Sequence, residues 1–269
     1  MKKITIIGAG KLGSSIANGL IDSKIFTYSD LILTRRKQQF LEPLNRQGFN
    51  TTTSNSEAVK QSEVVILAVE PRHAQGVMEE IKDLLNPQKH IFISVIAGLT
   101  LAKIESILGK NQNIIRAMPN TAVAVRESIT CFSANTKDTA VIEEVKKIFS
   151  SVGEVIQINE ENMLGATALG GCGIAFFMRA IRAASQGGIE IGFSSETAIA
   201  IAAQAAKGAA TLIINNGKHP EYEIDKVTTP RGCTIAGLNQ MEHEGFSSAM
   251  IKGILTSAEK AATLCRENS

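Results

Sequence analysis

The sequence predicts an α/β chain in which a doubly wound, mainly parallel sheet is followed by an all-α region. Three observations carry this expectation. Up to about residue 158, short β-branched runs alternate with longer segments of mixed polarity. Those runs are nearly continuous in apolar residues, as strands covered on both faces should be. After Asn159 the strand-like runs almost vanish and Ala-rich helical segments follow. The expected domains are therefore residues 1–158 and 159–269, a division that suits a 269-residue chain.

Taken in order, Ile4–Ile7 reads as the first strand and Leu12–Ser23 as the helix behind it. Met1-Lys2-Lys3 before this apolar run resembles a signal peptide, but Gly8, Gly10 and Lys11 end the run within a few residues, so a strand is expected. Leu31–Leu33, Val64–Val69, Ile91–Ile96, Ile114–Met118 and Ile129–Phe132 continue the strands, with His73–Leu85, Leu101–Leu108 and Thr139–Ser150 as helices between them. Val152–Ile158 reads as a final edge strand. Glu160–Gly188, Ser194–Asn216, Thr234–Glu244 and Ser247–Arg266 then read as helices, with Asn159, Ser194 and Ser247 as caps. The longest uncharged stretch, Asn162–Met178, falls short of the ~20 residues a membrane span needs. It holds Gly170, Gly171 and Gly173 and ends at Arg179 and Arg182, so a buried helix of a non-membrane protein is expected.

The first strand and helix are joined by Gly8-Ala9-Gly10-Lys11-Leu12-Gly13. In this spacing the first glycine permits a tight turn, the second admits a pyrophosphate close to the backbone, and the third packs helix on strand, with the helix N-terminus aimed at the phosphates. An NAD-binding unit would place an Asp or Glu at the end of the second strand. Thr34-Arg35-Arg36 stands there instead, a hydroxyl and two guanidiniums suited to a ribose phosphate, so NADP is expected over NAD. The plainer alternative is that the arginines begin a solvated helix. Further strand ends that can border a ligand are Ala68-Val69-Glu70-Pro71, Ala97-Gly98 and Arg116-Ala117-Met118-Pro119-Asn120-Thr121. In the helical half, Pro230-Arg231-Gly232 precedes a helix start at Cys233-Thr234, which is either a seat for a carboxylate or a simple helix opening.

Other chemistries lack their residues. Lys and Arg number 28 against 26 Asp and Glu, with no basic stripe, so no nucleic-acid interface is expected. Cys131, Cys172, Cys233 and Cys265 are widely spaced, with no CxxC and no histidine at metal-ligand spacing. Reduced thiols, no metal and a cytoplasmic location are expected. The sequence has no GxSxG, HExxH or Walker loop, and His73, His90, His219 and His243 read as solvated or capping side chains.

Together these residues resemble the pyrroline-5-carboxylate reductase family. The resemblance runs along essentially the whole chain, through Ile7-Gly8-Ala9-Gly10, Asn55-Ser56-Glu57, Ala68-Val69-Glu70-Pro71, Met118-Pro119-Asn120-Thr121, Gly187-Gly188 and Pro230–Leu238 with Glu242 and Gly245-Phe246. It implies a Rossmann domain followed by an all-α dimerisation and substrate domain, in an intertwined dimer or a decamer built from five dimers. The implied reaction reduces 1-pyrroline-5-carboxylate to L-proline with NADPH, NADH also being usable. Cofactor contacts carry over to Gly8, Ala9, Gly10, Lys11, Leu12, Gly13, Thr34, Arg35, Arg36, Asn55, Ala68, Val69, Pro71 and Ala97. Substrate contacts carry over to Met118, Asn120, Gly232, Cys233 and Thr234, and the Thr234 hydroxyl corresponds to the catalytic group at the substrate ring nitrogen.

Several positions depart from the family pattern. Gly171-Cys172-Gly173-Ile174-Ala175 stands where Gly-Ser-Gly-Pro-Ala is usual, Pro230-Arg231-Gly232 for Pro-Gly-Gly, Ala122 for Pro, Glu70 for Lys and Ser128 for Gly. Glu70 removes a positive charge near the expected cofactor. Two other readings are a β-hydroxyacid dehydrogenase, which would need a Lys that Met163–Ala184 lacks, and a non-catalytic dinucleotide-binding regulator. Aromatic residues make up only 4% of the chain, without Trp, and Ala and Gly concentrate after Asn159. Helices there are expected to pack closely, with the resemblance implying contact across a subunit boundary.

Overall fold

The computed structural model describes residues 2–267. Its strands are β1 (Ile4–Ile7), β2 (Leu31–Thr34), β3 (Asn50–Thr52), β4 (Val64–Leu67), β5 (Ile91–Ser94), β6 (Asn113–Met118), β7 (Ser128–Ala134) and β8 (Gly153–Gln157). They form one eight-stranded sheet in the order β3-β2-β1-β4-β5-β6-β7-β8. Every neighbouring pair is parallel except β6 with β7. The exception follows from the connection: between Met118 and Ser128 there is only a short 3-10 turn, Thr121–Val125, and no crossover helix to carry the chain back.

The helices of this half are α1 (Lys11–Asp22), α2 (Glu42–Arg46), α3 (Asn55–Lys60), α4 (Pro71–Ile81), α5 (Leu101–Leu108) and α6 (Thr139–Ser150). Alternation along the strands divides the core between the two faces. On β4, Val64 and Ile66 join one cluster, with Ile16, Leu20, Val145 and Ile148 from α1 and α6. Val65 and Leu67 join the other, with Met78 and Ile81 of α4 and Ile104 of α5. Both faces of the central strands are covered, which is why their sequence is apolar without alternation.

β3 escapes sequence reading because Asn50-Thr51-Thr52 is a polar, half-exposed strand at the sheet edge. The expected long helix Glu160–Gly188 is instead divided. A 3-10 turn, Glu160–Asn162, leads into α7 (Met163–Ala166), a π-helical stretch (Thr167–Cys172) and α8 (Gly173–Glu190). Gly170, Gly171 and Gly173 weaken α-helical continuity there. Asn120 Nδ2 donates to the Gly170 carbonyl at 3.1 Å, and Thr167 Oγ1 donates to the Met163 carbonyl at 2.7 Å. The remaining helices are α9 (Ser195–Asn216), α10 (Pro220–Val227), α11 (Cys233–His243) and α12 (Phe246–Glu267). α10 was not expected; His219 caps it, with Nδ1 accepting from Glu221 N at 3.3 Å.

A buried ion pair ties the sheet to the helical segment behind it. Arg116 on β6, 2% exposed, donates from Nη1 to Glu160 Oε1 at 2.7 Å. The same carboxylate accepts from Leu101 N at the start of α5 and from Ser133 Oγ on β7.

By contact the chain divides into two compact units, Met1–Cys172 with Ser257–Ser269, and Gly173–Thr256. The second unit contains α8 packed along α9, where Gly188 approaches Ala198 so closely that a Cβ on it would lie 3.0 Å from the Ala198 Cβ. Burial of α8 was expected; in the single chain only Gly173 and Ser185 of α8 are buried, and Phe177 and Met178 are exposed. Ile191, Ile201, Leu212, Ile214, Ile251 and Leu255 are exposed as well. The unit is too thin to cover both faces of its helices by itself. Glu160–Glu190 and Ser195–Asn216 are long and apolar enough to cross a membrane by length and composition.

Candidate active site

Parallel pairing aligns Ile7 with Thr34 on one side and with Leu67 on the other, so β1, β2 and β4 end at a common edge. The chain turns sharply off β1 there. Gly8 has φ +97, and a Cβ on it would lie 2.7 Å from the Ala68 carbonyl oxygen. Gly8 N and Ala9 N donate to the Thr34 carbonyl at 3.2 and 3.0 Å. Gly13 is needed inside the fold, because a Cβ on it would run into the Gly8 carbonyl. Gly10 differs: its nearest neighbour to such a Cβ is the Gly8 oxygen at 4.0 Å, and its φ of −80 suits any residue. The space above Gly10 is thus open, and no side chain caps the start of α1 behind it. A phosphate fits that position, where free N–H groups and the positive end of the helix dipole converge.

A cleft of about 580 Å³ opens at this edge, lined among others by Gly8, Gly10, Thr34, Arg35, Arg36, Asn55, Ala68 and Val69. Of the other expected cofactor residues, Ala9 is buried in the turn and Gly13 in α1, Leu12 is half-buried against the core, and Lys11 and Pro71 are exposed at the first positions of α1 and α4. Ala97 is half-buried in the turn after β5.

Polar contacts organise the cleft. Thr34 Oγ1 donates to Asn55 Oδ1 at 2.6 Å, and Asn55 Nδ2 donates to Glu80 Oε2 at 3.0 Å, so the amide is oriented from both ends. The Arg35 guanidinium stacks 4.5 Å from the Phe40 ring centroid. Arg36 Nη2 lies 3.2 Å from His73 Nε2. Both arginines line the cleft rather than beginning a solvated helix. The lost charge at Glu70 is offset locally, because Arg72 pairs with Glu70 at 2.7 Å. His73, Glu80 and Arg72 were not singled out as site residues. His73 is half-buried and caps no helix, and its partner lies 37 positions away, a separation that leaves no local signal.

The substrate candidates lie in two places. Met118 and Asn120 are buried at the end of β6. The Asn120 amide is engaged at both ends, Oδ1 accepting from Ala122 N at 3.0 Å and Nδ2 donating to Gly170 O, so it holds the strand end against the π-helical stretch. In the second unit Gly232 is the N-cap residue of α11, with no side-chain cap, and Cys233 and Thr234 are exposed on its first turn. Their N–H groups precede the first i→i−4 bond of the helix. Arg231 just before them has φ +61, a left-handed conformation that suits the glycine usual in this loop.

Fold and cleft together define a Rossmann-type dinucleotide-binding protein. The comparisons narrow this. A family model described as NADP oxidoreductase coenzyme F420-dependent matches residues 3–98, and one described as pyrroline-5-carboxylate reductase dimerisation matches residues 160–264. Pyrroline-5-carboxylate reductase 1 of Dictyostelium discoideum is 52% identical over 97% of this chain, which spans 49% of that protein's length. Pyrroline-5-carboxylate reductase 2 of the same organism is 45% identical over 97% of this chain and 92% of its own. A crystal structure of Plasmodium falciparum pyrroline carboxylate reductase with NADP bound superposes with a TM-score of 0.89 at 26% identity, covering 98% of both chains. The chain belongs to the pyrroline-5-carboxylate reductase family.

Proposed function

We propose that this protein reduces 1-pyrroline-5-carboxylate to L-proline with NADPH, and less effectively with NADH. The observation that carries the proposal is the 45% identity to a reductase of this name across nearly the full length of both chains. The geometry supports it: the Gly10 opening and the cleft between Thr34, Arg36 and Asn55 fit a dinucleotide with a phosphorylated ribose. When bound, NADPH supplies a hydride to the ring C=N carbon.

The chain's own residues then have a modest task. A protonated cyclic imine is already electrophilic, so orientation and carboxylate binding dominate and no His–Asp pair is needed. Cys233 and Thr234 offer backbone N–H groups, with Gly232 before them, as the carboxylate seat, and the Thr234 hydroxyl holds the ring nitrogen as it becomes an amine. Met118 borders the substrate, and Asn120 keeps the β6 end in shape.

Residues 1–158 serve as the cofactor domain and 159–269 as the dimerisation and substrate domain; the limits of the two family models, 3–98 and 160–264, support this division. The protein works as a homodimer, with a pentamer of dimers as its larger form. The exposed apolar residues of α8, α9 and α12 support this reading as subunit contacts rather than lipid contacts, in a cytoplasmic enzyme. The test is the initial rate of cofactor oxidation with pyrroline-5-carboxylate, measured with NADPH and NADH at equal low concentration. Faster NADPH turnover is expected; no turnover with either would sink the proposal.

A further inference from the structure

We propose that His73 is a specificity-determining residue for the cofactor: with Arg36 it forms a two-walled clamp for the 2′-phosphate of NADP(H), and it takes up a proton when the clamp is filled. The inference rests on the assignment of the cleft to a dinucleotide. Four guanidinium- or imidazole-bearing side chains line it, Arg35, Arg36, Arg72 and His73, and two of them have partners that account for them. Arg35 stacks on Phe40, and Arg72 is neutralised by Glu70. Arg36 instead meets His73, which brings no negative charge.

A guanidinium has donors and no acceptor, so the 3.2 Å contact of Arg36 Nη2 with His73 Nε2 is a hydrogen bond only where Nε2 accepts. Arg36 stands just past the end of β2 and His73 on the first turn of α4. An anion entering between them would draw the Arg36 donor onto itself and free Nε2. A phosphate can then receive hydrogen bonds from both walls once Nε2 carries the proton, and the bond becomes charge-assisted when the imidazole takes up a second proton from solvent. A ribose hydroxyl carries no charge to draw that proton, so the gain is confined to the phosphorylated cofactor. The other charged groups around the imidazole are Arg35 and Lys37 from the segment after β2, Glu70 just before α4, and Arg72 and Glu80 from α4; the lining residue from α3, Asn55, is neutral. Glu70 and Glu80 favour the protonated imidazole, whereas Arg35, Arg36, Lys37 and Arg72 oppose it until a phosphate offsets them.

The experiment is titration calorimetry of NADP+ and NAD+ into wild type, His73→Gln and His73→Lys, in two buffers of different ionisation enthalpy at one pH near 7.5. His73→Gln should weaken NADP+ about tenfold, the scale of one charge-assisted hydrogen bond, and leave NAD+ within about twofold. His73→Lys, permanently charged, should restore NADP+ binding. The buffer dependence of the NADP+ enthalpy should be larger in wild type than in either variant; ionisation of the cofactor's own phosphate is common to all three proteins and cancels. Equal weakening of both cofactors, unchanged NADP+ affinity, or identical buffer dependence in wild type and His73→Gln would each overturn the clamp. Binding of neither cofactor by wild type would instead overturn the dinucleotide assignment.

Discussion

At the scale of single residues, the glycine loop separates folding from binding. Gly13→Ala places a methyl group against the Gly8 carbonyl and should cost about 1–3 kcal/mol of stability, seen as a lowered melting temperature. Gly10→Ala meets nothing within the protein and should melt within a few degrees of wild type, while losing most of its affinity for NADPH in a fluorescence titration. The motif is legible in the sequence, but which glycine serves the fold and which serves the ligand is visible only once the space around each is known. Arg231 makes the converse point. Its left-handed φ costs an L-residue about 1 kcal/mol, so Arg231→Gly should raise the melting temperature slightly. Turnover that survives this change would assign Arg231 no essential contact.

At the scale of elements, β1, β2, β4 and β5 were legible because burial on both faces makes each a nearly continuous apolar run, and β6 and β7 through shorter apolar stretches. β3 was not, since a polar edge strand of three residues has no such signature. Nor was the π-helical stretch, which depends on a bond from Asn120 fifty residues earlier. The junction of sheet and helices rests on Arg116 and Glu160. Glu160→Gln leaves the Arg116 guanidinium, 2% exposed, buried without a counter-charge and should cost about 3–5 kcal/mol by chemical denaturation. Arg116→Met removes the buried charge and leaves a carboxylate about one-third exposed to water, so it should cost less. The turn before β5 adds a pH dependence. His90 is buried with Nδ1 accepting from Asn86 N at 2.8 Å, and burial, aided by the neighbouring Lys89 charge, lowers its pKa below the usual 6.5. The unfolded chain therefore binds the proton first, so this contribution is full above about pH 6.5 and declines as pH falls toward the folded-state value. Melting temperatures measured between pH 8 and pH 5 should fall toward acid, and less steeply in His90→Gln.

At the scale of the whole molecule, the scarcity of aromatic residues acquires a physical setting. α8 and α9 meet through Gly188 and Ala198, where small side chains allow close approach, while larger apolar residues such as Ile191 and Ile214 remain exposed in the single chain. Such an exposed apolar area calls for a partner surface. Sedimentation equilibrium of the full chain should return a dimer or a larger multiple; a stable monomer would contradict the subunit assignment. The division into a strand-rich and a helical half was legible from texture alone, whereas the cleft contacts of Arg36 with His73 and of Asn55 with Glu80 join residues far apart in sequence and arise only on folding. The central claim concerns chemistry, and product analysis reads it most directly. Purified protein supplied with NADPH and pyrroline-5-carboxylate should yield one L-proline for each NADPH oxidised, and NADPH binding without proline formation would contradict the account.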